Sequence, residues 1–302
     1  MPLLIKAWRD NLEDPSRVHD ARDTSLFPAC ANSSCASSWL HLWRNRHTPV
    51  FEKGWTCSEA CTRARIEVAV AREMDGQERT PVEHRHRIPL GLVMLAQGWI
   101  TQEQLKSALK SQKLAGTGRI GSWLMRESKI PEHLVTRALS VQWNCPVFSM
   151  ETPPLPSMGA IAPRLLLEAF GILPIRIAGR KLLYVGFEDR IDRCVTFALE
   201  RMTGLTVEAG LVNTSEFLRA HRDLLEGSSF PKSRLLEAVD QQAMAQAFTQ
   251  ILERARPLDA QLVRVHDCFW LRMWQKLPTP TAPFDWTGIE DVVCTIGRPI
   301  QE

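Results

Sequence analysis

The chain writes one stretch twice, and that duplication constrains the fold more than any other feature. Residues 89–112, PLGLVMLAQGWITQEQLKSALKSQ, align without a gap on residues 119–142, RIGSWLMRESKIPEHLVTRALSVQ. Gly91/Gly121, Ile100/Ile130, Ala108/Ala138, Leu109/Leu139 and Gln112/Gln142 are identical. Leu90/Ile120, Met94/Leu124, Leu95/Met125 and Leu105/Val135 are apolar in both copies. Each copy reads as a short helix, a turn near Gly98 or Ser128, and a second helix. Thr101 is placed to cap the second helix of copy one. Pro131 opens the same helix in copy two, where a missing N–H costs nothing. One unit carries an apolar face it cannot bury alone, whereas two units bury both faces on each other. The spacing predicts a tandem helix-turn-helix bundle over residues 86–150.

Downstream, METPPLPSMGAIAP (150–163) reads as a Pro-rich linker without regular structure. Residues 161–225 then mix helix and strand. APRLLLEAF suggests a short helix, and GILPIRIAG and KLLYVGFED suggest strands joined in a hairpin at Gly179-Arg180. DRIDRCVTFALERMTG has helical spacing and stops at Gly204. LTVEAGLV adds a third strand, and NTSEFLRAHRDLL a helix capped by Thr214 or Ser215. Over 226–302 the expectation is a long helix through SRLLEAVDQQAMAQAFTQILERA. A hairpin turning at His266-Asp267 follows, and DVVCTIG offers one more strand. The fold class is therefore α+β.

Eight cysteines occur, and four crowd the N-terminal region as Cys30, Cys35, Cys57 and Cys61. Thiolates are strong zinc ligands, and two close pairs at the ends of a loop suit a closed tetrahedral site. The second pair sits where a short β-like run enters a helix, whose N-terminus favours thiolate. This layout resembles a treble-clef-type zinc knuckle, with residues 1–80 forming the module and zinc in a structural role. His41 and His47 lie within the loop as possible substitutes. The stretch WLHLWRNRH there reads as a solvated face rather than a phosphate contact. Cys145, Cys194, Cys268 and Cys294 are scattered and read as core residues.

The doubled motif resembles the MshEN domain, the N-terminal domain of type II secretion and type IV pilus assembly ATPases. That domain carries two consecutive 24-residue motifs of the form R-L-G-x-x-L-V-x-x-G, followed by spaced leucines and a terminal Gln. The resemblance spans residues 86–225 and includes a small three-stranded α/β subdomain at 161–225. It implies binding of cyclic di-GMP along the paired motifs. By that resemblance the contacts fall on Arg87, Leu90, Gly91, Met94, Leu95, Gly98, Leu105, Leu109 and Gln112. In the second copy they fall on Arg119, Ile120, Gly121, Leu124, Met125, Leu139 and Gln142. The chain departs from the pattern at Pro89, where the first motif has Arg, and at Ser128, where the second has Gly. Arg87 stands two residues upstream of Pro89.

The ATPase motor is not written here: no G-x-x-x-x-G-K-[ST] occurs, nor H-E-x-x-H, G-x-S-x-G or a dinucleotide fingerprint. His266, Asp267 and Cys268 are sequential, and strand neighbours point to opposite faces. The chain reads as a non-enzyme. Net charge is +3 over 302 residues, too balanced for a dominant nucleic-acid footprint. No apolar run is long enough to span a membrane, and the N-terminus lacks a signal-peptide core, so a cytoplasmic protein is expected. Three roles follow. The first is a regulator that senses cyclic di-GMP and signals to a protein partner. The second is a nucleotide-free scaffold on secretion or pilus machinery. The third is a zinc-module nucleic-acid accessory.

Overall fold

The computed structural model describes residues 30–35, 49–76, 87–277 and 286–297. His41, His47 and the WLHLWRNRH stretch lie outside the described residues. The fold is α+β, as expected. Strands β1 (Val50–Phe51) and β2 (Gly54–Trp55) form a tight hairpin that leads into α1 (Glu59–Asp75). Ser58 caps α1 by accepting from the Cys61 N–H.

The doubled motif folds into α2 (Leu90–Ala96), α3 (Gln102–Ala115), α4 (Ile120–Ser128) and α5 (Glu132–Trp143). Thr101 and Gln104 form a full capping box on α3, and Pro131 stands at the start of α5. The core of this bundle is Leu90, Val93, Met94, Ile100, Leu105, Ala108, Leu124, Ile130, Val135 and Ala138, drawn from both copies.

After the bundle, Pro156–Ile161 forms a 3-10 helix, so the Pro-rich segment is not irregular throughout. Next come α6 (Arg164–Ala169), β3 (Leu173–Ala178), β4 (Leu182–Phe187), α7 (Arg193–Thr203), β5 (Thr206–Leu211) and α8 (Thr214–Gly227). Strand β4 is central, antiparallel to β3 and parallel to β5. Gly204 ends α7 in the left-handed region at φ 69°, as the spacing predicts. The cap of α8 differs from expectation. Asn213 is the N-cap and makes no side-chain capping bond, because Ser215 is engaged by the Glu132 carboxylate of α5 through both its N–H and its hydroxyl.

The largest departure lies in the C-terminal region. The expected long helix is two elements: strand β6 (Lys232–Ala238) and helix α9 (Gln241–Ala255). Leu235 and Leu236 satisfy a helical spacing by chance. In fact β6 pairs in parallel with β9 (Ile289–Ile296), and Asp240 caps α9 through the Ala243 N–H. With β7 (Asp259–Val265) and β8 (Cys268–Trp274) this makes a four-stranded sheet in the order β6-β9-β8-β7. A simple helix-plus-hairpin extension is therefore replaced by a sheet covered on both faces.

Helices α9 and α1 cover one face, where Ile66, Ala69, Val70, Met244 and Phe248 pack on Leu262, Phe269, Leu271 and Val292. On the other face Val263, Trp270 and Val293 join the core that contains Val195, Leu199 and Ile161. Every residue of β8 is consequently buried, which explains why the strand is apolar at every position but Arg272. Helix α1 thus belongs to the C-terminal core, and the N-terminal module does not stand alone. Its hairpin also docks on β7: Val50 N–H donates to the Pro257 carbonyl and Glu52 N–H to that of Ala260.

One charged pair sits inside this core. Arg272 on β8 faces Asp291 on β9 directly across the antiparallel register, and both side chains are 0% exposed. Arg272 donates to both Asp291 oxygens at 2.8 and 2.9 Å, and to the Ile161 and Ala160 carbonyls at 2.9 and 3.1 Å. Trp270 Nε1 adds a 2.7 Å bond to Asp291. The pair therefore ties the sheet to the 3-10 helix.

A second link is the tip of the β7–β8 hairpin. His266 Nε2 lies 2.6 Å from Asp192 Oδ2, while Asp192 Oδ1 caps α7. The Asp192 carboxylate raises the His266 pKa above its ordinary value, offsetting partial burial. A raised folded-state pKa contributes stability that is full below the unfolded value and is lost as pH rises through the folded one. Hence His266→Asn, which tolerates the left-handed φ of 53° at this turn, should cost more stability at pH 6 than at pH 9. Urea unfolding at both values checks this; an equal cost at both refutes it.

Candidate nucleotide and metal sites

The two copies pack with an internal pseudo-two-fold relation. Helix α3 lies on α4, and α2 lies on α5. Exchanging the copies turns one contact into the other. The copies also close on each other through matched bonds. Gln112 Nε2 donates 2.8 Å to the Gly118 carbonyl just before copy two, and Gln142 Nε2 donates 2.7 Å to the Ile88 carbonyl just before copy one. The repeated glycines obey the same relation. A Cβ on Gly91 would stand 2.5 Å from Leu105 Cδ1, and one on Gly121 would stand 2.7 Å from Val135 Cγ1, its counterpart. Both glycines let the two helices within a copy approach.

Val135 is β-branched and stiff, and Leu90 closes the other side of Gly121 at 3.4 Å. Gly121→Ala should therefore destabilise the bundle by about 1–3 kcal/mol. Adding Val135→Ala should recover part of that loss in a double-mutant cycle by chemical denaturation. Strict additivity of the two would remove the packing explanation.

The positions singled out by the motif divide by burial. Leu90, Gly91, Met94, Leu105, Gly121 and Leu124 are buried in the bundle. Arg87, Leu95, Gln112, Ile120, Met125, Leu139 and Gln142 are half-buried, and Gly98, Leu109 and Arg119 are exposed. Arg119 is the N-cap residue of α4, and its guanidinium reaches Asp189 after β4 at 2.6 Å while staying 66% exposed. Arg87 stacks on the Trp143 indole, 3.3 Å from the ring centroid. One cation thus stands near the start of each copy. Asp189 and Trp143 were invisible to motif reading, because neither lies within a copy.

The four N-terminal cysteines converge. Their Sγ atoms all lie within 4.8 Å of one another, with Cys35–Cys57 and Cys57–Cys61 at 3.6 Å. A tetrahedron of zinc–thiolate bonds has sulfur–sulfur edges of about 3.8 Å, so the cluster fits a four-thiolate metal site. Asn32 Nδ2 points at Cys61 Sγ at 3.4 Å, the kind of outer-shell amide that orients a thiolate. Burial pushes the Cys57 thiol up to about 12, helped by neighbouring thiols. Burial also raises Cys61, but bonds from Asn32, Ser58 and its fellow cysteines hold it at about 7. Arg65 braces the first pair by donating to the Ala31 carbonyl at 2.8 Å. Of the scattered cysteines, Cys268 and Cys294 are buried as expected, whereas Cys145 and Cys194 are only half-buried.

No family model matches the chain. Bacteriophage adsorption protein B of Escherichia coli (strain K12) and bacteriophage N4 adsorption protein B of Escherichia coli O157:H7 are each 29% identical to it over 157 residues. That match covers 51% of this chain and 21% of either relative, so the chain spans about a fifth of the curated relatives it matches. Among solved structures, MshE with cdg is similar at TM-score 0.38 and 21% identity, over 46% of this chain and 99% of that one. The N-terminal domain of XpsE is similar at TM-score 0.33 and 18% identity, over 49% and 99%. No helix among the described residues is long and apolar enough to cross a membrane.

Proposed function

We propose that residues 86–225 bind cyclic di-GMP along the paired motifs, and that the chain is a non-enzymatic regulator or adaptor that passes this signal to a protein partner. The observation that carries this reading is the reciprocal closure of Gln112 on Gly118 and Gln142 on Ile88. It sets the two copies in a pseudo-two-fold frame with a cation near each start, Arg87 and Arg119. Cyclic di-GMP is itself two-fold symmetric and carries two phosphates. Guanidinium groups pair with phosphate or guanine acceptors and stack on bases, which suits both positions. The exposed Leu109 and the half-buried Leu95, Met125 and Leu139 leave apolar surface on the same bundle. Arg119→Ala should weaken cyclic di-GMP binding by about tenfold or more, the scale of one charge-assisted bond. Equilibrium dialysis with labelled ligand measures it, and an unchanged affinity would move the site elsewhere.

Zinc belongs to the same proposal as a structural ion held by Cys30, Cys35, Cys57 and Cys61. All four positions of a tetrahedral shell are filled by thiolates in this assignment, which leaves none for substrate.

A second reading has its own support. The repeated Gly91, Gly121, Gln112 and Gln142 are all occupied by packing or closure inside the bundle. The duplicated motif then serves as a nucleotide-free scaffold, akin to the N-domains of secretion and pilus ATPases. In that case dialysis finds no cyclic di-GMP retained, and the partner is captured equally with and without it.

A further inference from the structure

The two edges of the C-terminal sheet are treated differently. At β7 the edge is met by the N-terminal hairpin through Val50, Glu52 and Lys53, the last donating from its N–H to Asp259. At β6 the outer side has no backbone partner among the described residues. Strand β6 is seven residues long, pairs with β9 without a bulge, and contains no proline. Unpaired edge groups are a template for another strand, and the exposed charges of Lys232, Arg234 and Glu237 guard this edge against indiscriminate pairing and bias which strand can add.

Its chemistry specifies what kind of strand fits. The Ala238 carbonyl accepts from Gly297 beyond the end of β9. By the two-residue alternation of a strand, Ser233, Leu235 and Glu237 therefore turn their backbone groups outward. Lys232 and Arg234 share the α9 face with Leu236 and Ala238. On that face Arg234, Leu236, Ile251 and Arg254 line a groove of about 430 Å³. Lys232, Arg234 and Arg254 make no ion pair among the described residues, and Glu290 is the acid that lines the groove. On the opposite face Leu235 is 47% exposed, and just past the strand Val239 is 83% exposed.

We infer that β6 is a docking edge for an extended segment of a protein partner that alternates acidic and apolar residues. The segment adds as a fifth strand. Its carboxylates lie on the α9 face beside Lys232 and Arg234, and its apolar side chains lie beside Leu235. Main-chain bonds to Ser233, Leu235 and Glu237 supply affinity, and the two faces supply specificity. A second copy of this chain fits less well. Antiparallel pairing of two β6 strands gathers two Lys232 and two Arg234 side chains on one face.

The test uses the full chain and a fluorescein-labelled peptide alternating glutamate and valine, read by anisotropy and by hydrogen exchange. Binding should slow exchange at the Ser233, Leu235 and Glu237 amides. Leu235→Pro removes an outward N–H without touching the β9 ladder and should abolish binding. The surface pair Lys232→Glu with Arg234→Glu, which leaves the backbone untouched, should weaken it by about tenfold or more. A peptide alternating lysine and valine should bind the wild type weakly and the charge-reversed chain better. No binding at millimolar peptide would overturn the inference. So would an affinity indifferent to charge reversal, or protection of these amides that rises with protein concentration alone.

Discussion

Asp291→Ala is expected to destabilise the protein by about 3–5 kcal/mol, the cost of leaving a buried charge without its partner. Arg272 would keep its two carbonyl bonds to Ala160 and Ile161. It would lose both carboxylate bonds at a position with 0% exposure. Trp270 Nε1 would lose its acceptor as well. The damage should not stay local, because Arg272 fastens the 3-10 helix to the sheet. Denaturant unfolding of the purified variant gives the number. A double replacement of Arg272 and Asp291 by methionine and leucine should be far milder than Asp291→Ala alone, since it removes both charges together. If Asp291→Ala costs under about 1 kcal/mol, the size of a surface pair, the buried hub is wrongly described.

Removal of metal should have the other large effect. Structural zinc contributes about 10–16 kcal/mol of apparent binding energy to small zinc-finger peptides, most of it expressed as folding. Here the expected outcome is one zinc per chain, with a large fall in thermal stability on chelation or in Cys57→Ser. Because Ile66, Ala69 and Val70 of α1 lie in the core with Phe248 and Leu271, loss of the metal should loosen the C-terminal sheet. The tandem bundle has its own core and should stay folded. Hydrogen exchange follows both, at the β7–β9 amides for the first and at α2–α5 for the second. Purified protein with well under one zinc per chain, and no response to chelator, would contradict this.

Much of the fold was legible where local chemistry and tertiary context agree. The 30-residue offset of the copies, Thr101 as a cap, Gly204 as a stop and the turns at Gly179-Arg180 and His266-Asp267 all follow from local rules. Four cysteines in two close pairs pointed to one site, and their sulfurs do converge. What was illegible depends on partners far along the chain. Strand β6 reads KSRLLEA and shows no alternation, because its first four residues are exposed on an edge with no strand partner among the described residues. Helix α1 reads as the tail of a metal module, yet its buried face is completed by residues about 180 positions later, such as Phe248. Arg272 looks like an intruder in an apolar strand until Asp291 arrives across the register.

The motif itself was read correctly as a repeat, but the repeat has two layers. Gly91, Gly121, Gln112 and Gln142 build the pseudo-two-fold frame, and Arg87 and Arg119 stand at its ends. Sequence alone could not separate framework from proposed contact: the glycines and glutamines recur at the offset of the copies, whereas Arg119 has Pro89 as its counterpart and Arg87 stands two residues upstream of it. The separation matters for mutagenesis: a Gly121 variant tests packing, whereas an Arg119 variant tests the ligand. Calorimetric titration of the full chain with cyclic di-GMP tests the central claim most directly. The account predicts saturable binding at micromolar or lower ligand that is lost in Arg119→Ala while the fold is kept. No heat at concentrations far above micromolar, from a protein shown to be folded, would contradict it and leave the paired motif as a scaffold.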